Sequence, residues 1–377
     1  MKKIILMVAM VVGVGLGWGE SSKKIDQQGV DGKRGQMIKG ESIEKIINEG
    51  KKANTKEEKD KRRKEIEKYI PSTKEDIQIL LKTMREDKDF DGAAMSSLEK
   101  AKNPQLANSF IEAVDDKEQR IQHLSIIMCG RLKSREATPK FIKMVKSYNK
   151  TWSKIFRKGV GPVLDEEDFK MRLVAKALGE IGDDSAVPVL IDKLDVLKED
   201  GVFALQNMGK KSVVAIIEKA NKTKNDEERR NIAHIVAGFR DKEVAPLLLE
   251  TVGNQQNCIE VRRGAAEGLG RVADKETLNK LIVIFKQNPD YKIRRSIVSG
   301  IEDSRSKDMI PFLIDVLKTD KDTSVRGTAA YVLGRLGDKT VIPALEEALN
   351  DKNSEVRSTA AFFLKQITGK DYKQEKR

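Results

Sequence analysis

The 377-residue chain predicts an all-α fold, an α-solenoid of stacked helical hairpins, and three observations carry that reading. An arginine recurs at Arg172, Arg230, Arg262, Arg294, Arg326 and Arg357; the last four steps are 32, 32, 32 and 31 residues, and the first interval of 58 holds two units. A proline falls 16 or 17 residues after four of these arginines, at Pro188, Pro246, Pro311 and Pro343, so the units share their internal punctuation. In the clearest unit Val325, Ala329, Leu333 and Leu336 recur at helical spacing, and Ile342, Leu345 and Leu349 do so again after a break. Self-similarity at a fixed period of this length is the signature of a stacked repeat array.

Each unit therefore reads as two helices. Gly337 closes the first, because glycine tolerates the left-handed backbone that often ends a helix. Pro343 lies in the first turn of the second, where it loses no intrahelical hydrogen bond. The small pairs Ala265-Ala266, Ala329-Ala330 and Ala360-Ala361 let neighbouring helices approach closely. One hairpin cannot bury both of its apolar faces, whereas stacked hairpins share one continuous core.

These residues resemble the HEAT repeat, in particular the short bacterial variety named after phycobilisome lyases. The match rests on Val-Arg-x-x-Ala-Ala-x-x-Leu-Gly-x-x-Gly-Asp at 325–338, on an aspartate six residues before the arginine in Asp320–Arg326 and Asp351–Arg357, and on the closing Ile367-Thr368-Gly369-Lys370-Asp371-Tyr372. It spans residues 169–372, with a degenerate copy at 198–221 that has Phe203 where arginine would sit. The resemblance implies that the repeat aspartates and arginines form a stabilising ladder between helices, so these arginines are read as structural. Upstream, the copy around 118–147 keeps Pro139 but has His123 near the arginine position. Residues 72–116 show only apolar periodicity, as in Ile77, Leu80, Leu81 and Met84, and residues 71–168 are expected to be worn helical repeats.

The remaining segments read in chain order. Lys2 and Lys3 precede an uncharged run from Ile4 to Gly19, and Gly17-Trp18-Gly19 supplies small residues for cleavage, so residues 1–19 read as a signal peptide. The run is short for a membrane span, which needs roughly 20 residues, and no cysteine follows it for lipid attachment. A periplasmic or secreted protein is the expectation, with a retained anchor as its alternative. Residues 20–40 read as a flexible leader and 41–70 as an exposed charged helix anchored by Ile43, Ile46, Ile47, Ile66 and Ile70. Residues 373–377 are a charged tail.

The search for chemistry leads to an expectation of no enzyme activity and no cofactor. Two cysteines, Cys129 and Cys258, lie repeats apart and make no disulfide framework. The chain has two histidines, followed by Leu124 and Ile235, whereas the HEAT-repeat family of deoxyhypusine hydroxylase binds two irons through His-Glu pairs. That activity is not expected here. No zinc spacing, nucleophile elbow or phosphate loop is present. Asp183-Asp184 and Glu346-Glu347 read as capping and solvated carboxylates. The lyase relatives attach or remove a bilin on a partner protein, but the shared signature builds the solenoid and does not carry that activity across.

One segment concentrates charge. From Arg131 to Lys158 ten basic residues face the single acid Glu136, giving most of the chain's net +13. Phe141, Val145, Tyr148, Trp152 and Phe156 recur at helical spacing through it, so residues 131–158 read as a basic amphipathic helix. Its apolar stripe packs on the repeats in the simplest reading. In the sharper one Lys143, Lys146, Lys150, Trp152, Lys154, Arg157 and Lys158 bind an anionic surface, polymer or protein. Nucleic acid fits the charge but not the export signal, so polyanion or nucleic-acid binding through this helix is a minor alternative, the nucleic-acid form of it only if residues 1–19 are not a signal. The functional expectation is an exported, non-enzymatic scaffold that binds a protein or other macromolecule along a wall formed by the second helices, through residues such as Asp192, Lys193, Asp315, Lys318, Glu346 and Glu347. Its alternative is a lyase-like or accessory enzyme subunit acting on a partner protein.

Overall fold

The structure, a computed structural model, describes residues 41–149 and 165–372. The expectations for residues 1–40, 150–164 and 373–377, which include Lys150, Trp152, Lys154, Arg157 and Lys158, lie outside the described residues. Among the described residues all regular structure is helical.

The chain enters through α1 (Ile43–Lys52) and α2 (Lys56–Lys68). The single charged helix expected over 41–70 is thus a hairpin. Thr55 caps α2 through a reciprocal box with Glu58, which satisfies free amides at the new helix start and divides the segment. Ile43, Ile46, Ile47 and Ile66 are buried, whereas Ile70 is exposed. Next come α3 (Lys74–Glu86), α4 (Asp91–Leu98), the short α5 (Ala107–Ile111), α6 (Gln119–Arg131) and α7 (Thr138–Ser147). The predicted anchors Ile77, Leu80, Leu81 and Met84 are all buried on α3.

The repeat array continues as α8 (Glu166–Ile181), α9 (Val187–Asp192), α10 (Leu194–Asn207), α11 (Lys210–Lys222), α12 (Asp226–Ala237) and α13 (Ala245–Gly253). Then follow α14 (Ile259–Val272), α15 (Lys275–Gln287), α16 (Tyr291–Ser304), α17 (Ile310–Thr319), α18 (Thr323–Leu336), α19 (Ile342–Ala348) and α20 (Ser354–Thr368). From α6 onward the even-numbered helices form one layer and the odd-numbered helices from α7 form the other, each hairpin stacking on the next.

The prolines explain the second layer. Pro139, Pro188, Pro246, Pro311 and Pro343 lie in the first turns of α7, α9, α13, α17 and α19, each entered through a short 3-10 turn. Asp183, Asp241 and Asp338 accept a backbone amide two residues on to fix that turn. Gly337 does adopt the left-handed conformation, with φ 64°.

Close packing explains the first layer. A Cβ added to Gly264 would lie 2.2 Å from the carbonyl oxygen of Ala233, and one added to Gly270 would lie 1.6 Å from that of Gly300. Helices α12, α14 and α16 therefore touch backbone to backbone.

The basic segment is not one long helix. α6 stops at Arg131, Lys133 is left-handed at φ 55°, and Ser134 N bonds back to Cys129 O at 2.9 Å, closing the helix end. α7 ends at Ser147, and Tyr148 is extended at ψ 113°. Phe141, Val145 and Tyr148 are buried, while Lys143 and Lys146 are exposed.

Candidate functional site

The ladder position is the fourth residue of a first-layer helix. Arg326 there donates through Nε and Nη2 to the Asp351 carboxylate of the next repeat, at 2.7 and 2.9 Å, and through Nη1 to the carbonyl oxygen of Asp320 at 3.0 Å. Arg294 does the same with the Asp320 carboxylate, at 2.8 and 3.0 Å, and with Asn288 O at 3.0 Å. Asp320 thus offers its carboxylate to the preceding repeat and its main chain to Arg326. Both arginines are held above the ordinary guanidinium range by these hydrogen bonds, against the effect of burial. Arg357 keeps the main-chain bond, to Asp351 O at 2.8 Å, but its Nε is buried without a hydrogen-bond partner.

Two predicted repeat arginines are placed differently. Arg230 is exposed, and its neighbour Arg229 fills the fourth position of α12, donating to Thr223 O at 3.0 Å. Arg172 is the seventh residue of α8 and pairs with Asp200 at the surface, 2.5 Å away. Arg262 is buried and donates to Val252 O at 3.0 Å rather than to a carboxylate. In α6 Gln122, not His123, takes the equivalent main-chain contact, with Asp116 O at 2.6 Å.

The degenerate copy at 198–221 is where the array opens. Inside α10, Lys198 has φ 49° and ψ −126°, so the helix breaks after its first turn. Other consecutive first-layer helices from α6 pack along their lengths, but α10 and α12 touch near their C-terminal ends, where Gln206 donates to Ile235 O at 3.2 Å. Toward their N-terminal ends they part around a cleft of about 1120 Å³.

Apolar side chains including Met171, Leu197, Val202, Ile232 and Ile235 line the cleft, and Phe203, 45% exposed, projects from α10 among them. Seven carboxylates and three cations, Arg172, Lys198 and Lys219, surround these residues, although the chain as a whole is basic. Four of the carboxylates are engaged. Asp168 accepts from Tyr148 OH, Asp200 pairs with Arg172, and Lys219 lies 3.3 Å from Glu228 and 3.9 Å from Asp192. Asp195, Glu199 and Glu227 are exposed and have no ion-pair partner among the described residues.

The other expected wall residues are largely engaged. Lys193 donates to Tyr148 O at 2.9 Å, Lys318 pairs with Glu347 at 2.5 Å, and Glu346 accepts from Tyr372 OH at 3.4 Å. His234 lines the cleft, exposed, while His123 packs edge-on against Phe169 on another hairpin. No group of three or more His, Cys, Asp or Glu side chains among the described residues is placed to hold a metal ion. No described helix is long and apolar enough to cross a membrane.

The family of HEAT repeats matches residues 213–302 and 278–365, and the PBS lyase HEAT-like repeat matches 172–195. This is a HEAT-repeat protein. Residues 196–212 of this HEAT-repeat protein, which hold the Lys198 break and Phe203, fall between the two matches. A curated relative, deoxyhypusine hydroxylase of Candida albicans, is 30% identical over 141 residues, which are 37% of this chain and 44% of the relative. The chain thus spans less than half the length of that relative. Among solved structures, human deoxyhypusine hydroxylase in complex with glycerol is 15% identical, with a TM-score of 0.32 and coverage of 79% of this chain and 97% of the other. The CpcE–CpcF complex of phycocyanin lyase from Nostoc sp. PCC7120 is 18% identical, with a TM-score of 0.28 and coverage of 71% and 88%.

The relative corrects one expectation. A non-enzymatic protein was expected because the sequence holds no catalytic motif, yet the curated protein it matches is an enzyme. The repeat signature is shared by enzymes and binding proteins alike, so a missing local motif does not separate them.

Proposed function

We propose that this HEAT-repeat protein acts on a partner protein as a lyase-like or accessory enzyme subunit, holding a segment of the partner in the cleft between α10 and α12. The interruption of the first layer carries this reading. It leaves Phe203 45% exposed and Val202 half-buried beside a concave cleft of about 1120 Å³, a space in which a segment of a partner can lie. Similarity to an enzyme over 141 residues supports the catalytic part of the reading. The Lys2-Lys3 start and the uncharged run to Gly19 support export, which N-terminal sequencing of the protein recovered from the cell envelope tests.

A photoreactive phenylalanine analogue at position 203, with one at Phe362 on α20 as control, tests the cleft. A defined partner cross-linked from 203 and not from 362 is the expected result, and products from 362 alone would move the site away from α10. The partner's mass is then compared in cells with and without this chain. A covalent difference is expected, and identical masses would remove the enzymatic part.

A further inference from the structure

We infer that the segment held in the cleft is cationic and amphipathic, with lysine or arginine side chains flanking an apolar anchor. The inference rests on the cleft being the partner site and adds the chemistry of the occupant. Asp195 and Glu199 stand on α10 and Glu227 opens α12, so the three unpaired carboxylates flank the opening from both of its walls. Seven carboxylates line the space against three cations, Arg172, Lys198 and Lys219, so negative charge is in excess there. Arg172 is committed to Asp200, and Lys219 lies between Glu228 and Asp192. Between the carboxylates the surface is apolar, and Phe203 is 45% exposed there. An anionic segment would meet like charge on both sides, and a purely apolar one would leave the carboxylates beside an uncharged surface. Only a segment with basic flanks and an apolar centre matches the rim and the floor together.

The test is fluorescence anisotropy with the full chain and two labelled helical peptides of identical leucine pattern, one with lysine and one with glutamate at the polar positions. The lysine peptide is expected to bind, and the glutamate peptide to bind at least about tenfold more weakly. Asp195→Asn with Glu199→Gln and Glu227→Gln should weaken the lysine peptide about tenfold, and Phe203→Ala should weaken it about fivefold with all charges kept. These positions are exposed, so unchanged thermal melts are required of each variant, and replacing the three acids by lysine should transfer preference to the glutamate peptide. Equal binding of the two peptides, or no loss in the triple variant, would overturn the inference. A loss on charge removal without any on Phe203→Ala would also overturn it, since attraction would then be to a negative surface and not to the cleft. Cross-linking from position 203 to an acidic or uncharged segment would sink this inference while leaving the partner site intact.

Discussion

Arg326 and Asp351 form a two-point ion pair across the junction of the last two repeats, with hydrogen bonds of 2.7 and 2.9 Å. The Arg326 side chain is only 4% exposed and that of Asp351 12%, so removing one partner leaves a desolvated charge behind. Asp351→Asn is expected to cost about 3 kcal/mol, the scale for breaking a buried pair. Urea unfolding checks it, and an unchanged midpoint would show that the ladder adds nothing.

Acid should act through the same pair. Burial pushes the Asp351 carboxyl up, but the hydrogen bond from Arg326 and the amide of Asn353 hold it below its ordinary value. A carboxyl with a depressed folded pKa contributes stability that is present above its unfolded pKa of about 3.9 and lost as pH falls through the lower folded value. The melting temperature of the parent should therefore fall steeply below about pH 4, and that of Asp351→Asn less steeply. Parallel acid profiles would contradict this.

One rung can be built. Arg262 occupies the ladder position, but the residue six before Arg294 is Asn288 where the later repeats have Asp320 and Asp351. Asn288 already accepts from Asp290 N at 3.1 Å, as Asp320 accepts from Asp322 N at 2.8 Å, so its side chain has the same local geometry. Burial without a carboxylate lowers the Arg262 pKa, eased by the more distant Asp290. Asn288→Asp is expected to stabilise the protein by about 1–2 kcal/mol, as a charge-assisted hydrogen bond does. Calorimetry that shows no gain would mean Arg262 cannot leave Val252 O.

Gly270→Ala tests the contact between α14 and α16. The new methyl would stand 1.6 Å from the Gly300 oxygen, with backbone on the other side and nothing flexible to move. A loss of about 3 kcal/mol is expected in denaturant titration, and tolerance of alanine would mean the two helices can separate freely.

The cysteines should differ in reactivity. Cys129 is fully buried, and burial pushes its thiol to about 12, while Cys258 caps α14 half-buried. A thiol-specific disulfide reagent should modify the native protein at Cys258 and reach Cys129 only on unfolding. Two equally fast reactions would contradict the core placement of Cys129.

The fold was legible because a repeat states its grammar several times. Arg294, Arg326 and their aspartates stand close enough in sequence for the spacing to be read directly, and Pro311 and Pro343 mark the same turn twice. Arg230 misled because Arg229 beside it is equally basic, and only its hydrogen bond to Thr223 O identifies the occupant of the slot. The basic segment reads as one long helix in the sequence because charge and aromatic spacing continue past the left-handed Lys133 and the extended Tyr148. The cleft had no motif of its own. It arises from the backbone of Lys198 and from contacts that α10 fails to make with α12, and the visible trace of that was a worn repeat with Phe203 in place of arginine.

The break between α10 and α12 also bears on how the molecule melts. In a repeat array each unit is stabilised by its neighbours, so cooperativity travels only as far as the interfaces are strong. From α12 onward the first layer is continuous, with backbone contact at Gly264 and Gly270 and ion pairs at Arg294 and Arg326. At α10 the nearest-neighbour coupling is weakest. The second layer, through α11, still joins the two arms, and a segment bound in the cleft would add contacts between them where the first layer lacks them, so that their unfolding would be coupled more tightly.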